Sequence, residues 1–175
     1  MPDLPRLFVA GVLLAALALA LPGAAQQPGG VSGMPGMNKR EPTSAAPYHP
    51  GLGDLMTAFV QPRHIKLGLA GSERNWGYAA YELSELRETF ADVAKLVPKH
   101  GNLALSDAIA STVEQPMAAL DAAIKAKDNA AFTNAYADLT TSCNACHQSA
   151  DHAAIVIKVP TVSDFPDQDF RPATP

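Results

Sequence analysis

Two cysteines and a histidine near the end of this chain have the residue types and the spacing for one specific chemistry. Cys143, Cys146 and His147 occur in the order Cys-x-x-Cys-His, and no other cysteine is present in the 175 residues. Thiols at this spacing can each add to one vinyl group of a haem, and the histidine that follows then lies under the iron as its proximal ligand. The motif predicts one covalently bound haem, a haem c.

Two other chemistries are compatible with parts of the motif. A Cys-x-x-Cys pair can be a redox-active disulfide, but such a pair usually occurs in a strand–helix context, and here it ends a helical pattern. A zinc site needs a fourth ligand, for which His152 is available. Because a histidine follows the second cysteine directly, the motif favours haem attachment over both alternatives.

The start of the chain has the pattern of an export signal. Arg6 precedes an apolar run over residues 7–21, and three small residues, 23–25, follow it. The run is shorter than the roughly 17 to 25 residues of a membrane-spanning helix, which favours a cleavable signal peptide over residues 1–25 rather than a retained anchor. We therefore expect a periplasmic or otherwise exported protein with no membrane span after cleavage, which is the setting in which haem is normally attached to thiols.

Composition sets further limits. Without its signal the chain has 150 residues, which suits one domain, and the formal net charge stays at −4. A mildly acidic surface argues against nucleic acid as a partner. Residues 26–50 are rich in Gly, Pro, Ser and Met and predict a flexible leader. We interpret Met34 and Met37 in this leader as linker residues rather than as copper ligands.

Helical periodicity dominates the rest of the chain. Apolar residues recur at steps of three and four, and in the last stretch this pattern includes Cys143, Cys146 and His147, which places the motif on a buried helical face. Short connections between helices of about 20 residues make neighbours antiparallel. We therefore predict an all-α fold, an antiparallel up-down-up-down four-helix bundle over residues 51–152. The predicted helices cover about residues 53–70, 75–97, 106–127, and 128 or 129 onward.

A different pattern follows the fourth helix, over residues 153–175. All but one of residues 155–159 are large and β-branched, which predicts an extended strap rather than another helix. Phe165 and Phe170 would add anchors. We expect this tail to lie across the bundle near the haem edge, and a frayed terminus is the alternative.

With the motif at the end of a fourth helix, the chain resembles the cytochrome c prime group of haem proteins. The resemblance covers roughly residues 52–152 and also rests on residues 120–124 (Leu-Asp-Ala-Ala-Ile), which precede a short turn. It implies a monohaem protein that often pairs as a homodimer. Members of the group are either electron carriers with a sixth iron ligand or gas-binding proteins with five-coordinate iron. The long tail departs from the group's pattern, which usually ends shortly after the motif.

The sixth iron ligand is the main open question. Antiparallel geometry would place Met56, about 5 Å into the first helix, near the height of His147, about 8 Å from the end of the fourth. Met56 also belongs to a Leu-Met pair that resembles the first helix of the low-spin members, where methionine binds iron. His64, displaced by about 80° on the helical wheel, is the alternative ligand, and a bend at Pro62 would turn it inward. An open distal side, with Met56 as a core residue, is the third interpretation.

Arg63 lies within the apolar face of the same helix, where a guanidinium group needs an anion. A haem propionate is one candidate partner for Arg63. The alternatives are an ion pair with Glu82 or Glu85 of the second helix, or an arginine that reaches solvent.

Together these features predict an exported electron carrier that exchanges electrons with redox partner proteins. The alternative is a haem protein with an open distal side that binds nitric oxide or carbon monoxide. We do not expect an enzyme, because the sequence offers no distal acid–base pair, although His64 would become a candidate if the first helix bends.

Overall fold

The computed structural model describes residues 48–173, and these residues are mostly helical. They form an all-α fold with one short hairpin, which confirms the fold class predicted from the periodicity. The predicted signal peptide and nearly all of the predicted leader lie outside the described residues. No helix within residues 48–173 has the length and hydropathy needed to cross a membrane. The elements are α1 (Leu52–Leu55), a π-helical turn (Met56–Val60), α2 (Gln61–Ser72), α3 (Trp76–Leu96), β1 (Lys99–His100), β2 (Leu103–Ala104), α4 (Leu105–Ala126) and α5 (Asn129–Ser149).

The first helical run consists of α1, the π-helical turn and α2, which follow one another without a break. The backbone N–H of Gln61 bonds to the carbonyl of Met56, five residues back, which is the π-helical pattern. Pro62 accounts for this turn, because proline has no N–H to donate and its ring would clash with the carbonyl four residues before it in a regular α-helix. The sequence predicted a long first helix bent at Pro62. The structure keeps the helix continuous and changes its hydrogen-bond pattern just before that residue.

Polar caps and one left-handed residue set several helix ends. The side chain of Asn75 accepts a hydrogen bond from the N–H of Tyr78 at 3.2 Å, and Asp128 accepts two from the first turn of α5 at 2.9 and 3.0 Å. Lys127 has a φ angle of 54° and ends α4 in the left-handed conformation. Only residues 127–128 therefore connect α4 and α5.

The connection between α3 and α4 is a two-stranded antiparallel hairpin, in which Lys99 pairs with Ala104 and His100 with Leu103. The sequence predicted only a turn here, because strands this short carry no alternating pattern. The ring of His100 packs against the ring of His152, with 5.1 Å between their centroids. The hairpin therefore lies beside the residues that follow α5.

The core consists of apolar side chains that the helices bury at steps of three and four. α2 contacts α3 and α5, and α4 contacts the same two helices, so each of the four has two helical neighbours. In α5 the buried stripe consists of Phe132, Tyr136 and Leu139, and the Cys-x-x-Cys-His motif follows it toward the end of the helix. The stripe predicted for α3 is buried as well, at Leu83, Leu86, Phe90 and Val93.

Two glycines allow α2 to approach α5 closely. A Cβ atom on Gly71 would lie 1.9 Å from Cζ of Phe132, and one on Gly68 would lie 2.5 Å from Cζ of Tyr136. Residues three apart share a helical face, so the aromatic rings of α5 pack directly on the backbone of α2. This contact fixes the end of α5, with its motif, relative to the first helical run.

The described part of the tail, residues 151–173, contains no helix or strand. Phe170 is buried and stacks on Tyr78 of α3, with 5.6 Å between their ring centroids. The ammonium group of Lys66 in α2 lies 4.5 Å from the ring centroid of Phe165. These contacts tie the later half of the tail to α2 and α3.

Substitution of Gly71 by alanine should destabilise the fold, because the added methyl group would overlap the ring of Phe132. We expect the free energy of unfolding to fall by roughly 1–3 kcal/mol, the usual cost of an overpacked core. Gly77→Ala is the matched control, since nothing lies within 4 Å of its added Cβ in α3. That variant should be stabilised by up to about 1 kcal/mol through helix propensity. Urea denaturation of both variants measures the difference, and equal stability of Gly71→Ala and the wild type would contradict the close contact.

Candidate haem site

A mostly apolar cavity of about 310 Å³ lies between the first helical run, α4, the end of α5 and the tail. Its volume is within the range of small-molecule sites in proteins, about 300–1,000 Å³. Cys143, Cys146 and His147 line the cavity from α5, and Met56 and His64 line it from the first helical run. The structure therefore brings together all the predicted iron ligands and both cysteines. The apolar wall includes Val60, Phe90, Leu105, Ile109, Val113 and Ile157.

Helical spacing explains why the motif faces the cavity. Cys143, Cys146 and His147 stand at positions i, i+3 and i+4 of α5, which lie on one face of a helix. The same face carries Tyr136 and Leu139 one or two turns earlier, and both are buried. The cavity thus extends the core, and the two thiols and the imidazole occupy positions that apolar residues take in the rest of the helix.

The environment of the two thiols favours their neutral form. Burial, together with the neighbouring Cys146, raises the pKa of the Cys143 thiol to about 11, and burial also raises the pKa of Cys146. Reactive Cys-x-x-Cys pairs have lowered pKa values instead. His152 lines the same cavity, but within residues 48–173 no three His, Cys, Asp or Glu side chains are grouped closely enough to hold a metal ion.

His147 is held in one orientation by the tail. Its Nδ1 atom lies 2.8 Å from the carbonyl oxygen of Ile155. A carbonyl oxygen can only accept, so Nδ1 carries the proton and donates, and Nε2 keeps its lone pair. Histidines that bind metals usually have this arrangement, in which one ring nitrogen is hydrogen-bonded to the protein and the other binds the metal.

Met56 belongs to the π-helical turn, is half-buried and lines the cavity. π-helical turns occur frequently at functional sites, because they redirect side chains within a continuous helix. A methionine side chain is flexible and its thioether is a soft metal ligand. Met56 is therefore available to a group bound in the cavity.

His64 lines the cavity too, but both of its ring nitrogens have protein partners. Nε2 lies 3.1 Å from Oγ1 of Thr140, and Nδ1 lies 3.0 Å from the hydroxyl of Tyr136. The Thr140 hydroxyl donates to the carbonyl of Tyr136 at 2.9 Å, so Nε2 of His64 donates to Thr140. The Tyr136 hydroxyl donates to the backbone carbonyl of His64 at 2.6 Å and lies 3.0 Å from Nδ1. A metal ion bound at Nε2 of His64 would break the hydrogen bond to Thr140.

Arg63 does not line the cavity, and the structure gives it the carboxylate partners that the sequence had left open. Its Nη1 lies 3.1 Å from Glu82 and its Nη2 lies 2.8 Å from Glu85. The Glu82 side chain is only 1% exposed, so it needs this cation. The predicted contact with a haem propionate is therefore replaced by an ion pair between α2 and α3.

Sequence reasoning missed Asn144, which lies between the two cysteines. Its side chain bonds to both the N–H and the carbonyl of Ile157, at 2.7 and 2.9 Å. No local pattern could reveal a side chain that pairs with backbone 13 residues away. The bonds between His64, Tyr136 and Thr140 were missed as well, although Tyr136 and Thr140 are four apart on one helical face, which was an available signal.

His64 should make the stability of the protein depend on pH. Burial lowers its pKa from 6.5 to about 4, so the unfolded chain binds the proton more tightly than the folded one. The free energy of unfolding should therefore fall as the pH is lowered from about 6.5 to about 4, by up to about 3 kcal/mol from this group. Urea denaturation at several pH values measures this slope.

The control for this prediction is His49, which is exposed. His64→Gln should flatten the slope between about pH 6.5 and pH 4, whereas His49→Gln should leave it as in the wild type. The same slope in His64→Gln and in the wild type would show that burial of His64 does not have this effect.

Comparison with known proteins assigns no family. No family model, no curated protein and no solved structure matches the chain. The candidate function therefore follows from the chain's own residues and their geometry.

Proposed function

We propose that this protein is an exported c-type cytochrome that carries electrons through one haem c, attached covalently to Cys143 and Cys146. One observation carries the proposal: both thiols and His147 line the same mostly apolar cavity as Met56. A haem c is a large and mostly apolar group that would need two thiols for covalent attachment and side-chain ligands for its iron. The donor set and the apolar walls of the cavity fit that requirement.

The proposal includes a fold of the cytochrome c prime type, an antiparallel up-down-up-down four-helix bundle. The two-residue connection between α4 and α5 supports it, because so short a link favours antiparallel neighbours. The pairwise contacts support it too, since α2 and α4 each contact α3 and α5. Bundles of this kind place their cofactors between facing helices.

Within this proposal each residue has a separate role. Cys143 and Cys146 would hold the haem covalently, and Nε2 of His147 and the thioether of Met56 would be the ligands of its iron. The bound haem would supply the one-electron couple, and methionine ligation raises its reduction potential. The apolar walls exclude water, which also affects the potential.

The cellular setting follows from the sequence. The signal-like pattern over residues 1–25 supports export to the periplasm or beyond, where redox partner proteins would exchange electrons with the haem. A protein with this role needs no catalytic side chain, and none is assigned.

Gas binding is the alternative function. The wall near Met56 is formed by apolar side chains such as Val60 and Phe90. If Met56 did not bind the iron, a small apolar gas such as carbon monoxide or nitric oxide would meet a dry space on the distal side. The spectrum of the purified protein distinguishes the two functions.

Covalent haem attachment should depend on the two cysteines. We expect the full chain, produced in a host that matures c-type cytochromes, to keep its haem absorbance after denaturation and acidic organic extraction. The double variant Cys143→Ser/Cys146→Ser should lose all covalent haem, whereas Ser142→Ala, a change next to the motif, should keep it. A wild-type protein without covalent haem would overturn the proposed function.

Met56 should determine the spin state of the iron. We expect the wild type to be low-spin in both oxidation states and not to bind carbon monoxide, and Met56→Ala to become high-spin when reduced and to bind it. Met117 lies in the core away from the cavity, so Met117→Leu is the control and should leave the absorption spectrum unchanged. Rapid carbon monoxide binding by the wild type would favour gas binding. An unchanged low-spin spectrum in Met56→Ala would reject Met56 as the ligand.

A further inference from the structure

The tail returns to the Cys-x-x-Cys-His motif immediately after α5 ends. The N–H of His152 donates to the carbonyl of His147 at 2.7 Å, and the N–H of Ile155 donates to the carbonyl of His152 at 2.9 Å. Asp151 has a φ angle of 60°, which reverses the chain direction within this turn. The chain therefore runs back along the last turns of α5, and Ile155 and Ile157 reach the cavity wall.

Asn144 fixes this returning segment to α5. Its Oδ1 accepts from the N–H of Ile157 at 2.7 Å, and its Nδ2 donates to the carbonyl of Ile157 at 2.9 Å. The second proton of Nδ2 points to the carbonyl of Thr140, 3.1 Å away in the same helix. All the main hydrogen-bonding positions of the amide are used, so its orientation is determined.

The segment held in this way touches His147. The carbonyl of Ile155, two residues before the clamped Ile157, accepts the hydrogen bond from Nδ1 of His147 at 2.8 Å. We name residues 155–157 the strap. The strap is fixed at one end by the turn after α5 and at the other end by Asn144. The carbonyl of Ile155 is therefore held at a defined position opposite the imidazole of His147.

We propose that Asn144 is a positioning residue for the proximal histidine, and that it acts through the strap. This inference rests on the proposed function, in which Nε2 of His147 binds the iron. A carbonyl that accepts from Nδ1 fixes the tautomer and the ring orientation and makes the other nitrogen a more basic ligand. A more basic ligand favours the ferric state, so the strap keeps the reduction potential lower than it would be without it.

Anchoring the tail as a whole does not require Asn144. The later half of the tail is fixed separately, through the contacts of Phe170 with Tyr78 and of Phe165 with Lys66. Asn144 instead fixes the position of the strap, which faces His147. Its effect should therefore appear at the imidazole rather than in the attachment of the tail.

The clamp is the pair of hydrogen bonds between Asn144 and Ile157, and two variants weaken it from opposite sides. Asn144→Ala removes the amide, whereas Ile157→Pro removes the N–H that bonds to it and leaves the motif unchanged. Residue 157 lies outside any helix or strand, so a proline there interrupts no regular hydrogen-bond pattern. Asn134→Ala, an exposed position of the same helix, is the matched control.

Proton NMR of the reduced haem protein provides the first measurement, with carbon monoxide added to any variant whose iron is high-spin. The Nδ1 proton of His147 should exchange slowly with water in the wild type and in Asn134→Ala. In both clamp variants it should exchange at least about fivefold faster, as expected when one hydrogen bond worth about 1 kcal/mol is lost. The second measurement is the reduction potential, which should rise in both clamp variants only.

The outcomes separate this inference from the proposed function. Unchanged proton exchange and potential in both clamp variants, with covalent haem present, would overturn the role of Asn144 and leave the cytochrome proposal intact. A wild type without covalent haem would overturn both. If Asn144→Ala fails to mature or fold, Ile157→Pro decides, because its Cys-x-x-Cys-His motif is that of the wild type.

Discussion

The packing of α5 directly on the backbone of α2 is the contact on which the candidate site depends. Gly68 and Gly71 leave room for the rings of Tyr136 and Phe132, and no larger residue would permit the same approach. Cys143 lies seven residues beyond Tyr136, about 10 Å along the helix axis. If the two helices moved apart at the glycines, the thiols would move away from the wall that carries Met56. The same Tyr136 donates a hydrogen bond to the backbone carbonyl of His64, so one side chain both sets the spacing of the helices and contacts the histidine.

Satisfied hydrogen bonds give the cavity its chemical character. Within residues 48–173, Oδ1 of Asn129 is the only buried side-chain polar atom without a hydrogen-bond partner, and it lies at the far end of α5 from the motif. The polar groups of His64, Thr140 and Asn144 are all used by the protein itself. The cavity therefore offers a bound group mainly apolar surface, together with two thiols, the thioether of Met56 and the imidazole of His147.

Local patterns in the sequence predicted the helices and the residues that gather at the cavity. Periodicity at steps of three and four reports which face of a helix is buried, and that face carries the cysteines and His147. Contacts between distant segments leave no such pattern. Asn144 and Ile157 are 13 residues apart, and no pattern in the sequence suggested their hydrogen bond. Arg63 and Glu82 are 19 residues apart, and the sequence suggested their ion pair only as one of several alternatives.

The π-helical turn changes which residues of the first helical run can face the same space. In a regular α-helix Met56 and His64 would differ by about 80° around the axis, since each residue adds about 100°. A π turn contains one residue more than an α turn. This extra residue offsets one 100° step, so the side chains of Met56 and His64 differ by only about 20° around the axis. Both then face the cavity. A chain with one residue deleted between these positions could keep its helix and its proline but would present only one of the two side chains. The extra residue of this turn therefore lets Met56 and His64, eight residues apart, line the same cavity.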